Sequence, residues 1–160
     1  ASMNADAVVM ADLGGPLSKM VSDAKLDRYA QAFDTHGITR WVLTDRGGRF
    51  VGYCGVLPWG DDHPLGAHDE IGWRLVREAW GHGFATEAAR ELLRFGFEQL
   101  GLHRIHASVD SRNGASARVL AKIGMRQEGW LREHLMQRGE WRDSYLYAIL
   151  RREWDPRSQA

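Results

Sequence analysis

The sequence predicts an α/β (α+β) domain, a mixed and mostly antiparallel central sheet flanked by helices. Three observations carry this. Residues 38–57 hold two β-branched and aromatic runs around a Gly-containing turn, residues 70–124 alternate strand, helix, strand, helix, and residues 127–150 form a second pair of strand-like runs. At 160 residues, 44% of them hydrophobic, the chain is long enough to bury one core and too short for two. A single domain over residues 1–160 is expected, with a helical part at 1–37 and a core at 38–154.

The elements follow in order. Residues 1–37 carry apolar positions at Val8, Val9, Met10, Leu13, Leu17, Met20, Leu26, Tyr29 and Phe33, broken by Gly14-Gly15-Pro16, and read as helical pieces around a turn. The runs 38–43 and 49–57 are joined by Thr44-Asp45-Arg46-Gly47-Gly48, a composition that suits a short hairpin loop. Residues 58–68 are rich in Pro, Gly, Asp and His and read as the one long loop, a common setting for binding residues. A strand over 70–76 leads through a Gly-rich turn into a helix over 85–100, with Ala85, Ala88, Leu92 and Phe95 on one stripe and Gly101 as its stop. Residues 104–109 form the next strand, and 115–123 a short helix that Asn113 or Ser116 can cap and Gly124 closes. The last two strands, 127–136 and 141–150, surround Gln137-Arg138-Gly139-Glu140.

Charge and composition narrow the partners. Lys plus Arg and Asp plus Glu both number 21, so no global field draws the chain to nucleic acid or to an anionic membrane, and neither is expected as a partner. The sole cysteine, Cys54, lies in an apolar run and reads as a small buried hydrophobe, not as a nucleophile or a disulfide partner. No run approaches the roughly 20 apolar residues of a membrane span, and no basic-then-apolar opening is present. The expected location is cytoplasmic. Seven histidines raise a metal site, but there is no Cys pair and no His-Glu-x-x-His, and His103 and His106, three apart, would face opposite sides of a strand. No metal is expected.

Chemistry concentrates in Ile71-Gly-Trp-Arg-Leu-Val-Arg-Glu-Ala-Trp-Gly81-His-Gly83-Phe-Ala-Thr-Glu-Ala88. Here a strand runs through a two-glycine turn straight into an amphipathic helix. Unpaired N–H groups at a helix start, aided by the dipole, suit a pyrophosphate. With Gly at 18 of 160 positions, Gly-x-Gly alone is expected about twice by chance, so its position between strand and helix carries the weight. The third glycine and downstream acid of a dinucleotide fingerprint are missing, as is the Gly-Lys-Ser/Thr of a P-loop. A plain tight turn remains the alternative.

That segment, followed by Arg104-Ile-His-Ala-Ser-Val, Asn113-Gly-Ala-Ser116, Val119-Leu120-Ala-Lys-Ile-Gly124-Met125 and Glu128-Gly129, resembles the GNAT N-acetyltransferase superfamily, nearest to the branch of ribosomal-protein alanine N-acetyltransferases. The resemblance covers residues 38–154, with the motifs in the family's order and spacing. It implies the GNAT fold and transfer of an acetyl group from acetyl-coenzyme A to a primary amine, on a small molecule or at a protein amino terminus. It implies that the backbone of Trp73, Leu75 and Val76 pairs with pantetheine, and that Gly81, His82, Gly83, Phe84, Ala85 and Thr86 hold the pyrophosphate. Asn113 and Ser116 would then lie beside the thioester, as catalytic as well as cofactor-binding residues. An attacking amine needs orientation, loss of a proton and an oxyanion donor, whereas a thiolate leaves with little help. General acid help from Ser116 or Tyr145 is therefore optional.

Glu70, entering the pantetheine strand, is the candidate base, against the alternative of a solvated charge at a strand end. Asn113 could be a helix cap, a cofactor contact or both, and Tyr145 and Tyr147 share a face on which a core role competes with catalysis. The acids Asp61, Asp62 and Asp69 would suit a cationic acceptor. Two departures stand out: the family's opening strand has no counterpart here, and Glu78 replaces the usual Gln or Arg three residues before the first glycine, with Arg77 beside it. An uncovered sheet edge is therefore expected, and with it a homodimer. A non-catalytic acyl-coenzyme A binding or sensing module, and an enzyme using another acyl donor, are the competing functions.

Overall fold

The computed structural model describes residues 1–63 and 65–155. Ser18 and Gly37 set the bounds of the long N-terminal helix. After a single turn α1 (Ser2–Ala5), helix α2 (Lys19–His36) starts where the Ser18 hydroxyl accepts from the Val21 N–H. It stops where left-handed Gly37 donates its N–H to the Phe33 carbonyl. The strands β1 (Arg40–Thr44), β2 (Phe50–Trp59) and β3 (His68–Leu75) follow. A 3-10 turn (Arg77–Ala79) leads to α3 (Phe84–Arg94), a π turn (Phe95–Gln99), β4 (Arg104–Asp110), α4 (Gly114–Lys122), β5 (Arg126–Gln137) and β6 (Glu140–Leu150). These six strands make one sheet in the order β1-β2-β3-β4-β6-β5, antiparallel except between β3 and β4.

Strand alternation sends Val56, Ile71, Ile105, Ala107, Val109 and Ile149 to one face, where they meet Ala89 and Leu93 of α3, Phe97 of the π turn and Leu120 of α4. The other face carries α2 and the N-terminal residues. There the Tyr29 ring packs tilted against Tyr53, centroids 5.7 Å apart, and Arg74 donates to the Asn4 side-chain oxygen at 2.6 Å. Asn4 donates in turn to the Ser22 hydroxyl at 2.7 Å, which fixes the chain start over β3.

Three expectations need correction. The core stripe of α3 is Ala89 and Leu93, while Ala85, Ala88, Leu92 and Phe95 are only half-buried. Apolar residues here make two adjacent stripes, and the sheet takes the one that the π turn, with its extra residue, extends to Phe97. Ala88, Leu92 and Phe95 line a groove of about 700 Å3 that also takes in Trp41, Leu43 and Phe33, while Ala85 packs on Val51, Leu75 and Ala79. Second, the helix expected over 85–100 is α-helical only to Arg94. Third, the loop expected over 58–68 is shorter, because Pro58 and Trp59 pair with Asp69 and His68. Proline is tolerated there because β1 pairs with β2 no further than Gly55, so nothing needs its missing N–H on that side.

The expected uncovered edge is present. On its outer side β1 has no neighbour among the described residues, and Val42 at its centre is 63% exposed.

Candidate active site

The two parallel strands touch at one register position only, Glu70 opposite His106, and then part. Because β3 stays paired to β2 as far as Leu75, its other edge runs unpaired along the wedge between β3 and β4. Unpaired backbone in a sheet interior is costly unless a partner completes it. At the bottom of the wedge is a cavity of about 100 Å3, lined by Gly72 and Trp73 on one side and by Ser108, Asn113 and Ser116 on the other, with Asp12 of the N-terminal segment at its mouth. Side chains hold this edge in place from behind: Leu75 is buried with Val51 and Ala79, and Trp73 packs against the main core.

The open edge leads to the helix start. Val76 donates its N–H to the Val51 carbonyl at 3.0 Å, and the Trp80 indole donates to the Leu75 carbonyl at 3.1 Å, so the turn is folded back onto β3. Gly81 (φ 78°) and Gly83 (φ 86°) both sit in left-handed backbone, which only glycine adopts without strain. Gly83 is the N-cap of α3 and no side chain caps it, so the N–H groups of Phe84, Ala85 and Thr86 have no intrahelical partner. A Cβ built on either glycine meets nothing within 4 Å. Exposed donors at a helix N-terminus with clear space before them can hold a phosphate. His82 lies in this turn, exposed, with its ring 6.2 Å from that of Phe84.

The polar side chains fall into two sets. Asn113 is the N-cap of α4, accepting from the Ser116 N–H at 3.0 Å, and both residues also line the cavity. Capping thus occupies the Asn113 oxygen and does not use its amide nitrogen. Glu70 does not line the cavity. It stands at the apex, its side chain 20% exposed, and its Oε1 lies 3.4 Å from Nη2 of Arg40. Tyr147 is buried and donates to the Gln127 side-chain oxygen at 3.3 Å, and Tyr145 packs partly against the core, so both tyrosines hold the sheet together. Cys54 is 1% exposed, and burial pushes its thiol up to about 12, which excludes it as a nucleophile.

One constellation escapes a linear reading. His63, His68 and His106 form a row of tilted and edge-on rings beside the apex, with centroids 4.6 Å and 5.1 Å apart, and Trp59 closes the row 4.8 Å from His63. Arg104 donates its Nε–H to Nε2 of His106 at 2.6 Å. Burial, then Arg104, then His68 hold the His106 pKa below its ordinary value. Sequence spacing shows no such grouping, because His106 reaches the other two only through the β3–β4 register. Among the described residues, no group of three or more His, Cys, Asp or Glu is placed to hold a metal ion. Acids behave differently along the neighbouring loop: Asp61 and Asp62 are exposed, while burial raises the Asp69 pKa.

Comparison with known proteins bears on this arrangement. The Acetyltransferase (GNAT) domain family matches residues 1–126. An uncharacterized N-acetyltransferase of Bacillus licheniformis, p20, is 31% identical over 136 residues, which is 85% of this chain and 71% of that protein. The uncharacterized N-acetyltransferase YnaD of Bacillus subtilis is 44% identical over 86 residues, 54% of this chain, and that match spans about half, 51%, of the relative's own length. A solved GNAT-family acetyltransferase from Bacillus anthracis superimposes with a TM-score of 0.79 at 30% identity, covering 94% of this chain and 86% of that one. By sequence match and by fold, the chain belongs to the GNAT acetyltransferase family.

Proposed function

We propose that the chain transfers the acetyl group of acetyl-coenzyme A to a primary amine by direct attack in a ternary complex. One observation carries this: an unpaired strand edge that runs from a small cavity holding Asn113 and Ser116 to an uncapped helix N-terminus. An elongated ligand with amides along its length and a pyrophosphate at one end matches that track in order. The β3 backbone at Trp73, Leu75 and Val76 would hold the pantetheine, and Gly81 to Thr86 the pyrophosphate. The thioester supplies an activated acyl carbon. Asn113 and Ser116 would orient it in the cavity, and open-edge N–H groups of β3 are the donors available to a developing oxyanion. Glu70 would take the proton that the amine loses, and Ser116 can return one to the departing sulfur. No activated nucleophile lines the cavity, which favours direct transfer over a covalent intermediate.

A cavity of about 100 Å3 suits a two-carbon acyl group better than a succinyl group. The acceptor, in this reading, is an amine on a small molecule or a protein amino terminus, reached across Asp12 and the apex. A second copy of the chain would cover the open edge of β1, and the buried free thiol of Cys54 fits the reducing cytosol. No helix among the described residues is long and apolar enough to cross a membrane.

Calorimetric titration with acetyl-coenzyme A, followed by thiol release with a panel of amines, tests the proposal. Saturable binding and amine-dependent release are expected. Binding without release from any amine would favour the non-catalytic acyl-coenzyme A module, and no binding would overturn the track assignment.

A further inference from the structure

A buried arginine spans three strands directly behind the apex. The Arg40 side chain is 7% exposed, and from β1 its Nη1 donates to the Gly55 carbonyl on β2 and, at 2.9 Å, to the Gly72 carbonyl on β3, while Nη2 faces Glu70 Oε1 at 3.4 Å. Gly72 makes room for its guanidinium, and Gly55 for the β1 backbone that carries it. A Cβ on Gly72 would lie 2.8 Å from Nη2, and one on Gly55 would come within 1.8 Å of the Thr39 carbonyl oxygen. A charge this deeply buried is costly unless it is paired and hydrogen-bonded, and of its three partners only Glu70 is charged.

We propose that Arg40 is a positioning residue for Glu70. Its planar fork is anchored on two main-chain carbonyls, so its second nitrogen presents a fixed cation to one carboxylate oxygen. That contact engages Oε1 and leaves Oε2 open, among the described residues, for the incoming amine. The same fork grips the Gly72 carbonyl, and Gly72 lines the acyl cavity. Arg40 thereby ties the position of the base to the strand that carries the cofactor edge. The inference rests on the acetyl-transfer reading and on Glu70 as base.

The experiment is a double-mutant cycle on the full chain: Arg40→Met, Glu70→Gln and the pair, with Arg40→Lys as a conservative variant. Thiol release from acetyl-coenzyme A is followed with spermidine and with an alanine-initiated peptide as acceptors. Arg40→Met is expected to lower kcat by about tenfold or more, with KM for acetyl-coenzyme A changed by less than about twofold, because a misplaced base slows chemistry and leaves cofactor binding alone. In the Glu70→Gln background the same change is expected to cost nothing further. Arg40→Lys should recover part of kcat, since the charge remains and the fork does not. A full additional loss in the Glu70→Gln background would overturn the inference, because Arg40 would then act only through the sheet, and so would an unchanged kcat in Arg40→Met. If Arg40→Met fails to fold, Arg40→Lys alone and in the Glu70→Gln background gives the same comparison. A wild-type chain that releases no thiol with either acceptor overturns the acetyl-transfer reading itself. Losses confined to the Arg40 side of the cycle concern this inference alone.

Discussion

His106 carries the clearest pH signature at the scale of single residues. Its ring faces Arg104 and the His68 ring, both of which disfavour an imidazolium; Glu128, held by Arg104, opposes them and Glu70 lies alongside in register. Burial is the largest influence, and the folded-state pKa lies below the ordinary 6.5. Between that depressed value and 6.5 the unfolded chain binds a proton that the folded chain refuses. The contribution of His106 to stability is therefore complete above pH 6.5 and is lost as pH falls through the folded value. Thermal melts from pH 7.5 downward should show a falling Tm, and His106→Gln, which keeps a nitrogen and removes the titration, should flatten the curve. An unchanged slope in that variant would assign the pH dependence to other groups.

Elements, not single side chains, make the proposed donor site. Its parts are the free edge of β3 and the first turn of α3, joined by a turn that needs left-handed backbone at Gly81 and Gly83. Replacing Gly83 by Glu would put an L side chain where φ is 86° and a negative charge where the helix dipole favours an anion. Because open space surrounds a Cβ at that position, folding should survive with a modest loss of stability. Acetyl-coenzyme A affinity should fall by about a hundredfold or more in a calorimetric titration, equivalent to about 3 kcal/mol. An affinity equal to the parent's would remove the pyrophosphate from this turn.

This turn was also the most legible part of the sequence. Two glycines between a strand and an amphipathic helix fix the local geometry without any help from distant residues. Asn113 and Ser116 were readable for the same reason, since capping is a contact between neighbours in sequence. The Arg40–Glu70 contact and the histidine row were not readable. Each depends on cross-strand register, which joins residue 40 to 70 and residue 68 to 106 across long stretches of chain. Which stripe of α3 meets the sheet was not readable either, because its apolar residues fill two neighbouring stripes and only packing chooses between them.

At the scale of the whole molecule, one side of the sheet is unfinished. Among the described residues, strand β1 ends the sheet with an unpartnered row of backbone donors and acceptors, and beside it runs the groove of about 700 Å3, floored by Trp41 and Leu43 and walled by α3. Phe33 and Val42, both half or more exposed, lie along the same margin. An edge of this kind, short and carrying apolar residues on both faces, templates the addition of another strand. We propose that a second copy meets that need with closed symmetry: antiparallel pairing of β1 with β1 about a two-fold axis at Val42 would satisfy both edges at once and run one sheet through both subunits. Light scattering behind size exclusion should give twice the chain mass at micromolar concentration. Val42→Lys sets two like charges opposite each other at the axis and leaves the monomer intact, since the side chain is 63% exposed in any case. That variant should elute as a monomer with its acetyl-coenzyme A affinity retained, because the donor track lies two strands away across β2. A monomeric parent would mean that the groove and the edge are left for some other strand, and a dimer undisturbed by Val42→Lys would move the interface elsewhere, with the exposed Trp130 and Trp141 of the β5–β6 hairpin the next surface to alter.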